Sequence, residues 1–345
     1  MFKQQVIPRY RGFNLLGMFC TKESSVNKGR APGYFIEDDF KMMAEWGFDF
    51  ARLPLSYRVW SSVENPFLID EERLKPLDLA LEYAEKYNLH VSMNMHRVPG
   101  YCINNDEPIP EPYSLWDNDK QAYDALEFQW KTLAERYKHV PSSRLDFDLI
   151  NEPQWNVLNV RQAVIQHRLT KAIRSVSPDR TITINGTHTG MMLPTESLHI
   201  GDENIVYSLR GYAPQSLTHY GVSGTTDGTP LPTWPNSKQV IGCANINWDR
   251  AKMDQYHDMW AAASNVYNRG IICNELGCLN KTPHDVVLAW YEDEMASLKE
   301  RNIGYAVWNL SGKFGILDSE REDVDYVDHN GHKLDKKLLE LLQRY

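Results

Sequence analysis

The chain has 345 residues, 42% of them hydrophobic and 24% charged, with a formal net charge of −9 at pH 7. That balance suits a globular protein with a large core. The acidic charge, with no Lys/Arg-rich block, argues against a general nucleic-acid binder. No apolar run reaches about 18 residues, so no membrane partner is expected. Met1-Phe-Lys-Gln-Gln is not followed by the apolar region of an export signal. The chain is expected to be cytoplasmic as written, or secreted if such a signal has been omitted.

In chain order, Arg11–Leu16 reads as a strand and Ile36–Trp46 as a helix. Strand Asp49–Leu55 precedes helix Glu71–Asn88, and strand His90–His96 precedes helix Lys120–His139. Strand Leu145–Asn151 leads to helix Val160–Ser175. Strand Thr181–Asn185 is followed only by Met191–Gly201, a turn or two of helix. Strand Asn204–Tyr212 leads to helix Trp248–Asn268, strand Gly270–Glu275 to helix His284–Asn302, and strand Gly304–Leu310 to helix Leu334–Gln343. Gly47, Asn88 and Asn302 stand where helices should end. Eight strands alternating with helices predict a single (β/α)8 barrel domain spanning 1–345. The rival open sheet would favour a glycine-rich turn after the first strand, and Met18-Phe-Cys-Thr21 stands there instead. Long connections follow strands three (Arg97–Asp119) and six (Ala213–Asn247). Both leave strand C-termini and are expected to wall a cleft.

Two apolar strands end in a glutamate: Leu145-Asp-Phe-Asp-Leu-Ile-Asn-Glu152-Pro153 and Gly270-Ile-Ile-Cys-Asn-Glu275. A carboxylate there serves packing poorly. A pair suits glycosidic bond hydrolysis, one group as acid and the other as nucleophile or base. Other strand ends also carry polar or aromatic groups: Arg52, His96, Arg210, Tyr212, Trp308. Barrel interiors are expected to be mostly Val, Ile and Leu, so this convergence reads as a site.

The motifs Arg11-Gly-Phe-Asn-Leu-Leu16, Gly47-Phe-Asp-Phe-Ala-Arg-Leu-Pro54, Asn151-Glu-Pro153, Asn274-Glu-Leu-Gly277 and Tyr305-Ala-Val-Trp-Asn309 resemble glycoside hydrolase family 5, the cellulase-type branch of the retaining barrel glycosidases. The resemblance implies Glu152 as acid/base and Glu275 as nucleophile. It implies that Arg52 keeps Glu275 ionised, that Asn151 reaches the sugar 2-hydroxyl and that Tyr212 supports Glu275. His96 would line the site and Trp308 would form the sugar platform. The substrate would be a β-linked glucan, mannan or related oligosaccharide or polysaccharide. A transglycosidase and a non-catalytic sugar-binding barrel are the alternatives. The protein is expected to be a monomer with no cofactor and no metal.

One position departs from the family. Strand six usually ends His-x-Tyr, and here it reads Arg210-Gly-Tyr212. His219-Tyr220 lies seven residues later and is not the equivalent. Arg210 beside Glu152 should oppose protonation, so it is expected to bond a substrate group or a loop carboxylate such as Asp117 or Asp119, or else to face solvent. Tyr101, Tyr113, Trp116, Trp155, Trp234 and Trp248 sit in loop-like segments, as sugar-stacking groups or as loop anchors, with Trp155 on the acceptor side. Cys20, Cys102, Cys243, Cys273 and Cys278 form no CxxC pair and read as small buried thiols. Asp318–Gly331 reads as a solvated acidic turn.

Overall fold

The computed structural model describes residues 7–21, 33–104, 107, 109–117, 119–199, 204–222, 228–241 and 244–345; Cys243 lies outside them. Eight parallel strands close into a barrel: β1 (Arg11–Asn14), β2 (Phe50–Ser56), β3 (His90–Arg97), β4 (Leu145–Asp148), β5 (Thr181–Asn185), β6 (Ile205–Gly211), β9 (Gly270–Leu276) and β10 (Gly304–Val307). They follow one another around the wall in chain order. A hairpin, β7 (Ser237–Ile241) with β8 (Ala244–Trp248), interrupts the path between β6 and β9. A second hairpin, β11 (Val327–His329) with β12 (His332–Leu334), stands where a plain acidic turn was expected.

Helices return the chain to the bottom of the barrel as the hydrophobic periods require. Asp119 caps the helix Lys120–Arg136 by accepting from Gln121 N at 2.8 Å. Asp249 caps Arg250–Tyr267 at Lys252 N, 2.9 Å, and Asp335 caps Lys336–Arg344 at Leu338 N, 3.1 Å. Each such cap is worth about 1 kcal/mol. Gly47, Asn88 and Asn302 carry positive φ at the helix ends predicted for them. After β5 the described residues form only the short helical turn Thr187–Gly190 and the 3-10 segment Thr195–His199.

The apolar core lies between barrel and helices. Trp130, Trp260 and Trp290 are fully buried there, in the size range where burial contributes about 3 kcal/mol each. The barrel lumen corrects the sequence expectation. Its inward positions are Asn14, Arg52, Ser92, Asn94, Asp146, Asp148, Thr183, Asn185, Ser208 and Arg210, all buried and polar. Strand register explains the clustering: Asn14 lies beside Arg52, Asn94 beside Asp148, and Asn185 beside Ser208. Only a floor of Phe50, Val206, Ile272 and Ala306 is apolar.

Candidate active site

Glu152 follows the irregular turn Leu149–Asn151 beyond β4, and Glu275 is the last residue but one of β9, beside Arg210 in the register. Glu152 has φ +42°, a left-handed backbone that costs a non-glycine residue about 1–3 kcal/mol. Three hydrogen bonds hold it there. Glu152 N donates to Asn185 Oδ1 at 3.1 Å, the Tyr101 hydroxyl donates to the Glu152 carbonyl, and Thr189 N donates to the Pro153 carbonyl at 2.8 Å. The carboxyl is thereby aimed over the barrel mouth.

Two buried guanidiniums organise the pair. Arg52 donates from Nη1 to Glu275 Oε1 at 2.5 Å and to Asn14 Oδ1 at 2.9 Å. Its Nε and Nη2 reach Asp148 Oδ2 at 3.0 and 2.9 Å, and Nη2 also reaches Asn151 Oδ1 at 2.8 Å. Arg210 donates from Nε to Glu152 Oε1 at 2.7 Å and from Nη2 to Glu275 Oε1 at 3.1 Å. Its Nη2 also meets Asn151 Oδ1 at 2.7 Å and Asn185 Oδ1 at 2.6 Å, and its Nη1 meets Ser208 Oγ at 2.9 Å. Arg210 is completely buried and bonds neither Asp117 nor Asp119. The expected loop or solvent-facing role is therefore wrong: the lumen beneath both glutamates offers more acceptors than the loop does.

The two carboxyls are treated unequally. Burial and the charge on Glu275 push Glu152 up to about 7, against the pull of Arg210. Burial would raise Glu275 as well, but Arg210 and then Arg52 outweigh it and hold Glu275 below the usual carboxylate range. One group is thus kept as an acid and the other as an anion. The Tyr212 hydroxyl donates to Glu275 Oε2 at 3.2 Å, and burial holds that phenol protonated.

His96 is pushed down to about 3 by burial, so it is neutral. Asn151 Oδ1 accepts from both arginines, which makes Asn151 Nδ2 the donor toward His96 Nε2 at 3.2 Å. His96 Nε2 also meets Asn104 Oδ1 at 3.0 Å, and its Nδ1 meets Asn94 Oδ1 at 3.1 Å. His96 stacks on Trp308, with centroids 5.4 Å apart. Trp308, Phe19, Leu16 and Tyr212 make an apolar wall beside the carboxyls. His219 lies edge-on to Tyr212, outside the position of the family histidine.

The loop aromatics divide. Trp155, three residues after Glu152 in the chain, is 74% exposed. Tyr101 and Trp248 are buried anchors. Trp116 packs edge-on against Tyr101, and Trp234 donates to Asp293. Cys273 and Cys278 are buried, and burial raises both thiols. A cleft of about 730 Å³ opens between Thr21, Arg58, Trp60 and Arg73. Neither glutamate lines it, so chemistry and not volume locates the site.

Sequence reasoning missed Asp148, Asn14 and Asn185. Asn14 and Asn185 end strands one and five, and neither carries a charge that would mark it in the sequence. Asp148 was legible as the inward partner of Asp146 two residues earlier.

A closed (β/α)8 barrel with two strand-end glutamates and two buried arginines at its C-terminal face defines a glycosidase. The chain belongs to the cellulase family, glycosyl hydrolase family 5, whose family model matches residues 13–314. It is 26% identical over 338 residues to endoglucanase C of Acetivibrio thermocellus, covering 91% of this chain and 94% of that protein. It is 23% identical to cellodextrinase A of Ruminococcus flavefaciens, covering 82% and 80%. A solved glycoside hydrolase superposes with a TM-score of 0.86 at 34% identity, covering 97% of this chain and 99% of that one. Thermotoga maritima Cel5A bound to mannotriose shares the fold, with a TM-score of 0.75 at 21% identity and 97% coverage of both chains.

Proposed function

We infer that the chain hydrolyses β-linked glucans, in the manner of an endo-β-1,4-glucanase, by double displacement. The single observation that carries this reading is the asymmetry of the pair: two guanidiniums reach Glu275 and one reaches Glu152. In the first step Oε2 of Glu275 attacks the anomeric carbon. The bond to the leaving oxygen breaks as Glu152 gives that oxygen its proton, and a glycosyl ester forms on Glu275. In the second step Glu152, now a carboxylate, takes a proton from water, and the water oxygen displaces Glu275. Two inversions give net retention. Carboxyls that share one guanidinium suit the separation of about 5–5.5 Å used for retention, rather than the ~6.5–9.5 Å that leaves room for a water.

The surrounding groups support the same chemistry. Asn151 Nδ2 carries a second hydrogen, available to a sugar 2-hydroxyl. Trp308 and Phe19 present aromatic surface to the ring bound at the point of cleavage. Trp155 offers a platform on the acceptor side. The relatives named endoglucanase and cellodextrinase favour a β-glucan, and the mannotriose-bound neighbour favours tolerance of mannan. The test is a panel of β-glucan, mannan, xyloglucan and aryl β-glycosides, with Glu275→Ala as control and the first product followed by NMR. The β-anomer is expected first. No cleavage, or an equally active control, defeats the reading; an initial α-anomer defeats the double displacement.

A further inference from the structure

Arg210 is the feature that the family pattern does not supply. Its side chain passes over Gly190, where a Cβ would stand 2.5 Å from Arg210 Cγ. Gly190 has φ +79°, so both the backbone and the space suit glycine there. The guanidinium then lies beneath both glutamates. Its five N–H groups are all committed: Nε to Glu152, Nη1 to Ser208 and the Leu209 carbonyl, Nη2 to Asn151, Asn185 and Glu275. No donor is left for a substrate.

We propose that Arg210 is a positioning residue whose one guanidinium sets Glu152 and Glu275 against each other and decides which oxygen of Glu152 delivers the proton. The proposal rests on the acid/base and nucleophile assignment above. Oε1 of Glu152 is pinned by Nε at 2.7 Å. Oε2 has no protein partner among the described residues, so the proton resides there, on the oxygen turned toward the leaving group. Oε1 of Glu275 is likewise held by Arg52 and Arg210, which leaves Oε2, met by the Tyr212 hydroxyl at 3.2 Å, to attack. A histidine has at most two N–H groups, and a lysine ammonium has no planar fork. Neither can hold two carboxyls and four neutral acceptors at once.

The charged and titratable groups that face the pair come from several strands. Glu152 faces Arg210, Arg52 and Glu275, with Tyr101 on its carbonyl. Glu275 faces Arg210, Arg52, His96 and Tyr212, with His219 farther out. Arg210 also faces Asp148.

The experiment compares kcat/KM against pH for wild type, Arg210→Lys, Arg210→His and Arg210→Gln. Two aryl β-cellobiosides are used: a phenyl glycoside that needs the acid and a dinitrophenyl glycoside that does not. Removing a cation at hydrogen-bond distance raises a carboxyl by about one unit or more. Both limbs of the Arg210→Gln profile are therefore expected to move up by about that much. The phenyl substrate should lose at least about tenfold of the ~10²–10⁴ that general acid catalysis supplies, and the dinitrophenyl substrate much less. Arg210→Lys keeps the charge, so its limbs stay near those of wild type while the phenyl-selective loss remains. Unmoved limbs in Arg210→Gln or Arg210→His, with equal losses on both substrates, overturn the proposal. If Arg210→Gln does not fold, equal losses in Arg210→Lys do the same. Wild type that cleaves neither substrate, or Glu152→Gln that shows no leaving-group selectivity, defeats the functional reading instead.

Discussion

Replacing Glu152 by Gln should change stability in a way that depends on pH. Glu152 is pushed up to about 7 in the folded chain from an ordinary value of 4.5. Below about pH 4.5 the carboxyl is protonated in both folded and unfolded chains, and its titration costs nothing. As pH rises toward 7, the unfolded chain releases the proton and the folded chain keeps it or ionises at a penalty. Wild type therefore loses stability relative to the glutamine variant across that window. A shift of about 2.5 units at ~1.4 kcal/mol per unit gives about 3 kcal/mol. For a chain of this size each kcal/mol moves Tm by about 2 °C. The gap between Glu152→Gln and wild type should widen by about 6 °C between pH 4 and pH 8. Any constant offset from the amide itself cancels in that difference. Thermal unfolding of both proteins at half-unit pH steps measures it. A gap that stays constant with pH, or narrows as pH rises, would refute the claim that the free enzyme stores a proton on this group into the neutral range.

Two further substitutions separate binding from architecture. Trp155→Ala should raise KM about three- to tenfold on soluble cello-oligosaccharides, from the loss of about 0.5–1.5 kcal/mol of aromatic contact. kcat and Tm should stay as in wild type because the side chain is 74% exposed; a drop in Tm would make it a packing residue instead. Arg52→Lys should lower Tm by about 6–10 °C, since breaking a buried charge network costs about 3–5 kcal/mol. Turnover should fall with it because Glu275 and Asp148 lose their shared fork. A scanning calorimetry shift under about 2 °C would contradict the burial argument.

The alternation of strand and helix was legible because each barrel strand is buried on both faces and the helices carry a core-facing stripe. Glu152 and Glu275 were legible because a carboxylate at the end of an apolar run has no packing purpose. The partners of Arg210 were not legible. Spacing shows that Arg210, Glu152 and Asn185 end three strands, but only the closed barrel brings their side chains onto one guanidinium. The polar lumen escaped for a related reason. Ser92, Asn94, Asp146 and Thr183 alternate with Val, Met, Phe and Ile, and that pattern reads equally well as a strand with one solvated face. Closure turned the polar face inward. Trp155 and Trp248 illustrate another limit, since nothing in their local sequence separates the exposed ring from the buried one.

The lumen also explains why an arginine beside Glu152 does not keep it ionised. Around the two glutamates, Arg52 and Arg210 supply two positive charges, and Asp148, Glu152 and Glu275 could supply three negative ones, with His96 neutral; Asp146, the other lumen carboxylate, meets His90 Nε2 at 2.9 Å instead of either arginine. The buried charges balance when one carboxyl stays protonated. Burial pushes Asp148 up as well, but Arg52 and Arg210 pull against it and Asn185 Nδ2 donates to it at 2.5 Å; Glu275 is held by both arginines, and Glu152, which only Arg210 reaches, is the group left to carry the proton. Removing the Asp148 charge should upset this balance. In Asp148→Asn two cations would face two remaining carboxyls, and both could ionise. The basic limb of kcat/KM on a phenyl β-cellobioside should then move down by about half a unit or more, opposite to the effect of Arg210→Gln. Asp148→Asn should also be less stable, because its Nδ2 would face a donor in either orientation: Asn185 Nδ2 on one side, Asn274 Nδ2 and Arg52 on the other. A basic limb that stays in place or moves up, in a variant that still folds, would show that burial alone protonates Glu152 and that the charge count in the lumen is irrelevant to the acid.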